Sequence, residues 1–394
     1  MTSVFYHLNT NTWTHNHPSQ NTTIGHNRLQ IKQDLLAKEG GETLEFNVHS
    51  NKINNNHLGP IVGILTNEDR APFSGNKKTF KRICKNVLTN GGIPVVFTPT
   101  SFSQFSIKCY TFCFLKKKWI ELFSPLPDVI YNRIPSVQFE RKEEYKTLRN
   151  TIQKLNIPYF NESYLSKIQT FSILSKDPFL KKFLPEMIKI DNENDLKKYL
   201  KKMKCIYVKK HNSSQGLGIF KLTLLNKQQV LIRNSFHVEV IKSVEDSWKF
   251  LNSLTESYLC QQCIISELPD GRKFDLRILV HKKMQSFIIS GIGVRVGSVK
   301  GITTHVPRGG TIISLNDLPI DVDYELLKTI VQKTGEALNK NVGNFFEFSI
   351  DIGIQNNHFY IYEVNSKPMV FDEPEIKEKG LENLIQLYYE LSNF

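Results

Sequence analysis

The sequence predicts a protein that combines an α/β unit and an α+β unit behind a small N-terminal β domain. Three observations lead there. The chain has 394 residues, 40% of them apolar, which suits two or three domains with their own cores. Between residues 59 and 165 short apolar runs alternate with amphipathic helical patterns, as in a parallel sheet with crossover helices. Beyond residue 166 the pattern becomes α+β, and "FFEFSIDIGI", "QNN" and "HFYIYEVN" read together as a hairpin.

Residues 1–58 are rich in Asn, Thr and His, and runs such as "TLEFNVHS" alternate like short strands. Six of the eleven histidines fall here (His7, His15, His17, His26, His49 and His57). His15-x-His17 has metal-ligand spacing, but loop composition explains it more simply. Then "IVGILT" reads as a strand, and Phe80, Ile83, Val87 and Leu88 give a helix closed by Gly91-Gly92. "IPVVFTP" and "PDVIYNRIP" are further strands, with "YKTLRNTIQKLN" a second helix. Residues 102–123 are expected to add one strand and one helix. Residues 166–394 form the last domain, in which residues 185–265 are expected to make a smaller lobe. "SKIQTFSILSKDPFLKKFLPEM" looks helical, and "DNENDLKKYLKKM" is a helix capped by Asp191 or Asn192. "CIYVKK", "VLIRN", "YLCQQCII", "FDLRILVHK" and "QSFIISGIGVRVG" are strands, and the tail closes as a helix.

The formal charge is +13, but the lysines are scattered over predicted helix faces. A solvated surface accounts for most of them, and a phosphate-rich ligand is the best functional use of the rest. No compact basic motif with interleaved aromatics argues for nucleic acid. No apolar run is long enough for a membrane helix, and no signal peptide is read. The six cysteines, Cys260-Gln-Gln-Cys263 among them, are expected as buried thiols in a reducing cytoplasm.

The chemistry gathers in three stretches. In "KKHNSSQGLGI" a lysine precedes a loop in which Gly216 and Gly218 let backbone N–H groups approach a phosphate, and Ser213 and Ser214 add hydroxyl donors. In "YEVNSKPM" Glu363 and Asn365 stand two apart on a strand and so share a face. Asp351 lies on the strand before. If the register brings it to that face, three hard oxygen ligands converge in a way that suits Mg²⁺ beside phosphate oxygens. In "GRKFDLRILV" the alternation sets Asp275, Arg277 and Leu279 opposite Phe274, Leu276 and Ile278. "VRVG" positions Arg295 on a strand in the same way. Two arginines with an acid pair and a glycine-rich loop read as a clamp on a nucleotide triphosphate and on the group it phosphorylates.

This order of lysine strand, glycine-rich loop, arginine strand and Asp…Glu-x-Asn hairpin resembles the ATP-grasp superfamily. More closely it resembles the YheC/YheD family, described as endospore coat-associated proteins of Bacillus-type bacteria. The carriers are "LGPIVGILT", "PDVIYNRIPS", "SSQGLGI", "GRKFDLRILV", "EFSIDIGI" and "EVNSKP", from Leu58 to near the C-terminus.

The resemblance implies an ATP-grasp fold preceded by a pre-ATP-grasp α/β domain and the N-terminal β domain. It implies that Lys167 and Lys209 contact ATP, and that Ser213, Ser214, Gln215, Gly216 and Gly218 fold over the phosphates. Gln261, Gln262 and the backbone near Ile264 would form a hinge against adenine. Asp351, Glu363 and Asn365 would hold one or two Mg²⁺ (or Mn²⁺) ions, and Arg277 and Arg295 would face the γ-phosphate or an acyl phosphate. Two departures stand out. Lys209-Lys210 replaces the family's Lys-Pro, and strand alternation favours Lys209 as the inward residue if Val208 faces the core. His305 stands where Asn is common, as a hydrogen-bonding replacement or a proton acceptor. The implied activity is ATP-dependent ligation of a carboxylate to an amine or thiol through an acyl phosphate, in the cytoplasm (that of the mother cell included) or at the spore coat. The alternative is a structural coat protein on the same scaffold, with coat proteins as partners and no catalysis. The substrates and the oligomeric state stay open.

Overall fold

The structure, a computed structural model, describes residues 2–37, 42–68, 72–210, 219–234, 238–253, 258–299, 301–368 and 371–394. Among these residues the strands form four sheets. The first holds β1 (Thr2–His7), β2 (Thr12–His15), β3 (Thr23–Ile24), β4 (Leu29–Gln30), β5 (Lys32–Gln33), β6 (Thr43–Ser50) and β7 (His57–Gly59), in the order β4-β3-β7-β6-β1-β2-β5. Its inward residues, such as Val4, Tyr6, Phe46 and Val48, share one core with the second sheet. His15 is fully buried at the end of β2, where its Nδ1 accepts the His17 backbone N–H at 3.0 Å. It thus serves to shape a turn.

The second sheet contains β8 (Ile61–Leu65), β9 (Ile93–Phe102), β10 (Ile107–Cys113), β11 (Lys118–Ser124), β12 (Val129–Asn132) and β13 (Tyr159–Phe160). The order is β11-β10-β9-β8-β12-β13, with β9, β8, β12 and β13 parallel. Helices α1 (Lys77–Thr89) and α2 (Glu143–Lys154) make the crossovers. The helix expected within residues 102–123 is absent, and β10 and β11 pair there instead from Ile107↔Ser124 to Cys113↔Lys118. Ile107, Cys109, Ile120 and Leu122 are buried while Lys108 and Glu121 point outward, a period of two that an aromatic-rich segment satisfies best as a strand.

Helix α3 (Lys167–Leu174) is shorter than the sequence pattern suggested. Pro178 restricts the residue before it and ends helical geometry, so Leu180–Phe183 is a single 3₁₀ turn and Met187–Lys189 forms β14. The third sheet follows with α4 (Glu193–Met203), β15 (Cys205–Lys210), β16 (Ile219–Leu224), β17 (Gln229–Asn234), β18 (Glu239–Ser243), α5 (Val244–Ser253) and β19 (Tyr258–Gln262). Its strand order is β14-β19-β15-β16-β17-β18. Asn192 caps α4 by accepting the Asp195 N–H at 3.0 Å. Leu196, Leu200 and Leu251 of the two helices pack on Ile206, Val208, Leu222 and Cys260 of the sheet.

The fourth sheet carries the chemistry. It contains β20 (Phe274–Lys283), β21 (Ser286–Val296), β22 (Thr311–Ile313), β23 (Glu347–Gln355) and β24 (His358–Asn365), in the order β22-β21-β20-β23-β24. Helix α6 (Tyr324–Val342) packs on one face, where Leu327, Ile330 and Leu338 meet Phe274, Leu276, Ile278, Ile350 and Ile352. Strand alternation turns Asp275, Arg277, Arg295, Asp351, Glu363 and Asn365 to the opposite face.

Part of that face is covered by α7 (Pro374–Ser392). The close approach needs glycine. A Cβ at Gly291 would lie 2.6 Å from Ile376 Cγ2, and one at Gly380 would lie 2.6 Å from Leu279 Cδ2. The far half of α7 inserts Leu384, Ile385 and Tyr388 into the core of the second sheet. The end of the β23–β24 hairpin is anchored there as well. Buried Asn161 donates to the carbonyls of Glu347 (2.8 Å) and Ser366 (3.0 Å), and Lys367 is buried against Glu140.

Candidate active site

The register pairs Asp351 directly with Glu363, and Asn365 follows at the next position on the same face. Two carboxylates side by side repel unless cations separate them. The protein supplies several. Lys167 Nζ lies 3.5 Å from Glu363 Oε1, and Arg295 Nη2 lies 2.9 Å from Asp351 Oδ2. Arg277 stands opposite Asp351 on the neighbouring strand. Burial alone would raise the Asp351 carboxyl, but Arg295 and Arg277 outweigh it and hold it below the usual carboxylate range.

The other wall of the cleft is the third sheet. Val208 is fully buried among the helices, so Lys209 points the other way, and its ammonium donates to Gln261 Oε1. Desolvation draws Lys209 down to about 8, with Glu363 opposing and Lys167 reinforcing the fall. Gln261 Nε2 is buried without a partner, so this side chain keeps an unused donor in the cleft. An apolar recess between α3, β14 and β24 is lined by Leu165, Phe171, Met187 and Ile361 and borders Lys167 and Glu363.

Two sequence expectations change. Gln262 is adjacent to Gln261 on one strand and therefore faces the opposite side. Its Oε1 accepts the Glu186 N–H (3.2 Å) and its own N–H goes to Glu186 O (2.8 Å), so its side chain belongs to the β14 edge and not to the cleft. Ile264, just beyond, is buried. Arg295 is not an open phosphate clamp. It is 5% exposed and gripped by Asp275 through Nε–Oδ1 (2.8 Å) and Nη2–Oδ2 (2.9 Å) while also touching Asp351. Its geometry orients Asp351. Arg277 is the better placed cation. Its guanidinium lies 5.1 Å from the Phe371 ring centroid, and its Nε is buried without a hydrogen-bond partner. Ser213, Ser214, Gln215, Gly216 and Gly218 lie outside the described residues.

The sequence reading gave no role to Asp275, although the alternation that positioned Arg277 also placed Asp275 on its face. Thr304 Oγ1 completes its shell at 2.6 Å. His305 follows, near enough to Arg295, Asp351 and Glu363 to feel their charge. Burial and Arg295 lower its imidazole. The Cys260 and Cys263 thiols do not meet. Cys260 packs in the lobe core, and Cys263 lies near Cys205 at the start of β15, where the Cys205 thiol is 3.6 Å from Thr223 Oγ1.

Asp351 Oδ1 is buried and has no partner. Beside it stand a second carboxylate and an amide, a set that fits a hard divalent cation with open positions for other oxygens. Among the described residues no group of three or more His, Cys, Asp or Glu side chains gathers as a metal site, so the set here is two carboxylates completed by an amide.

A two-lobed cleft with this face is the ATP-grasp fold. Three solved structures share it at a TM-score of 0.50: VanG D-Ala:D-Ser ligase from Enterococcus faecalis (12% identity, 84% of this chain and 99% of that one), D-alanine-D-alanine ligase from Coxiella burnetii (14%, 84% and 95%) and the ATP-grasp ligase PsnB complexed with precursor peptide PsnA2 and AMPPNP (10%, 84% and 98%). The family of YheC/D like ATP-grasp proteins matches residues 156–392, and this chain belongs to it. Two Bacillus subtilis relatives are similar over most of their length. The endospore coat-associated protein YheD is 24% identical over 343 residues, covering 81% of this chain and 75% of YheD. The endospore coat-associated protein YheC is 22% identical over 306 residues, covering 72% and 84%. No helix among the described residues is long and apolar enough to cross a membrane.

Proposed function

We propose that this protein binds Mg-ATP and ligates a carboxylate to an amine or thiol through an acyl phosphate. The observation that carries this is the pairing of Asp351 with Glu363, with Asn365 on the same face and Lys167, Lys209 and Arg277 around them. Asp351, Glu363 and Asn365 would hold Mg²⁺, which when bound neutralises charge on the nucleotide phosphates. Lys167 and Lys209 bind the same phosphates as point charges. The apolar recess beside Lys167 takes the adenine, with Gln261 as a polar neighbour. Asp275 and Arg295 are positioning residues that fix the Asp351 carboxylate.

The reaction then needs little covalent help from the protein. A carboxylate oxygen of the substrate attacks the γ-phosphorus, the bond to the β,γ-bridging oxygen breaks, and ADP leaves. Arg277 stabilises charge on the transferred phosphoryl group. An amine or thiol next attacks the acyl carbon, loses its proton and releases inorganic phosphate. The names of the B. subtilis relatives suggest the endospore coat as the setting, with coat proteins as partners.

Trapping tests the chemistry. Hydroxylamine replaces the acceptor amine, and the protein is incubated with Mg-ATP and a panel of amino acids and carboxylic acids. Hydroxamate should form in step with ADP for at least one acid. Tight Mg-ATP binding with neither product for any acid would instead favour a coat-associated protein that binds nucleotide without turnover.

Lys209 gives a pH signature. Its ammonium, with a pKa of about 8, must be charged to hold phosphate. Mg-ATP affinity should therefore be flat from pH 7 to about 8 and fall above it. Arginine stays protonated throughout this range, so Lys209→Arg should remove the fall. A wild-type affinity that is unchanged at pH 9, or a fall that persists in Lys209→Arg, would rule this role out.

A further inference from the structure

A second cavity opens where the second sheet meets α7. Its volume is about 90 Å³. One water needs roughly 10–15 Å³ on this measure, so the space takes a ligand of about amino-acid size. Its apolar floor includes Leu279, Phe371 and Leu384. The cavity meets the site above at the Phe371 ring. Phe371 lies under Arg277, and Leu279 is two residues along β20 on the same face.

The charge around this cavity is uneven. Arg82 of α1 and Lys377 of α7 line its outer part. Neither has a carboxylate partner among the described residues, and Lys377 Nζ donates only to the Asp372 carbonyl, at 2.8 Å. The one acid in the lining, Glu347, is already neutralised. Arg133 Nη1 lies 3.7 Å away, His281 Nε2 lies 3.3 Å away, and the Tyr131 hydroxyl donates to it. The cavity thus has two cations without carboxylate partners among the described residues, Arg82 and Lys377, and an apolar surface that ends at Phe371, above which lies Arg277 with its Nε unpartnered.

We infer that this cavity binds the phosphoryl-accepting substrate, and that this substrate is a small carboxylate bearing a second anionic group. The inner carboxylate meets Arg277 beside Asp351, and the outer anion is held by Arg82 and Lys377. The carbon segment between them lies on Leu279 and Leu384. A lone monocarboxylate would leave the two rim cations unused. This inference rests on the ligase assignment, which supplies the role of the inner carboxylate, but the cavity itself can be probed without turnover.

The test is titration calorimetry on the full chain with glutarate, L-glutamate and butyrate, each with and without Mg-AMPPNP. At least one dicarboxylate should bind tenfold or more tighter than butyrate. Arg82→Gln and Lys377→Gln should each weaken dicarboxylate binding at least fivefold and leave butyrate unchanged. Arg82 is exposed, so its variant should fold normally. Equal affinity for all three acids, or dicarboxylate binding indifferent to both substitutions, would overturn the inference. Titration of Mg-ATP into the wild type separates the two failures. If Mg-ATP binds and no dicarboxylate preference exists, the cavity assignment falls alone. If the preference is present and Mg-ATP does not bind, the ligase assignment falls and the anion site stands.

Discussion

Asp351→Asn should weaken Mg²⁺-dependent nucleotide binding by at least about 100-fold, close to 2.7 kcal/mol. Asparagine keeps the size and one oxygen of the side chain, so packing on β23 is retained. What it loses is the charge that stands opposite Glu363 and next to the unpartnered Oδ1 position. Arg295 stays paired with Asp275 through two hydrogen bonds, so the buried guanidinium is not orphaned. Fold and binding are therefore separable in this variant. Competition against a fluorescent ATP analogue, with circular dichroism as the fold control, gives the answer. A loss under threefold in a folded variant would remove Asp351 from the metal set.

The largest stability effect is expected far from the nucleotide. Glu140 and Lys367 form an ion pair with side chains only 6% and 2% exposed. Glu140 also accepts Asn132 Nδ2 (2.9 Å) and the Tyr164 N–H (2.7 Å), and Lys367 Nζ donates to Ile134 O (3.2 Å). Glu140→Ala strands a buried ammonium at the joint between the second sheet and the catalytic hairpin, at a cost of about 3–5 kcal/mol. Replacing both partners, as in Glu140→Leu with Lys367→Met, should recover most of that loss. Burial pulls the Lys367 ammonium down to about 8, against the pull of Glu140. A lysine lowered in the folded state disfavours folding while it is charged, so stability rises as pH climbs from about 8 toward the unfolded value near 10.4. Without Glu140 the ammonium is pulled lower still, so the Glu140→Ala deficit should shrink as pH climbs through about 8. Urea unfolding at pH 7 and pH 9 measures both effects. A deficit below about 1 kcal/mol, or one that grows with pH, would contradict them.

Much of this site was legible because strands have a period of two. Glu363-x-Asn365 and Asp275-x-Arg277 each declare a shared face from spacing alone, and Val208 in the core decides for Lys209. The alternation could not reveal which strands are neighbours. That Arg295 reaches across β20 to Asp351 while Asp275 grips it depends on register. The same limit hid the Glu140–Lys367 pair, whose members are 227 positions apart. Alternation also sets the side chains of Gln261 and Gln262 on opposite sides, so only that of Gln261 enters the cleft. In residues 102–123 the aromatic and lysine content masks a plain alternation, so part of a hairpin reads as a helix. The glycines of "GIGVRVG" looked like strand composition, and only the seat of α7 explains Gly291.

Calorimetric titration of ATP into the wild-type protein, once with excess Mg²⁺ and once with EDTA, tests the central claim most directly. The structure predicts saturable binding with Mg²⁺ and at least tenfold weaker binding when the cation is removed, because Asp351 and Glu363 would then face the phosphates without a counter-charge. Binding of equal strength in EDTA, or no binding at millimolar ATP with Mg²⁺, would contradict it.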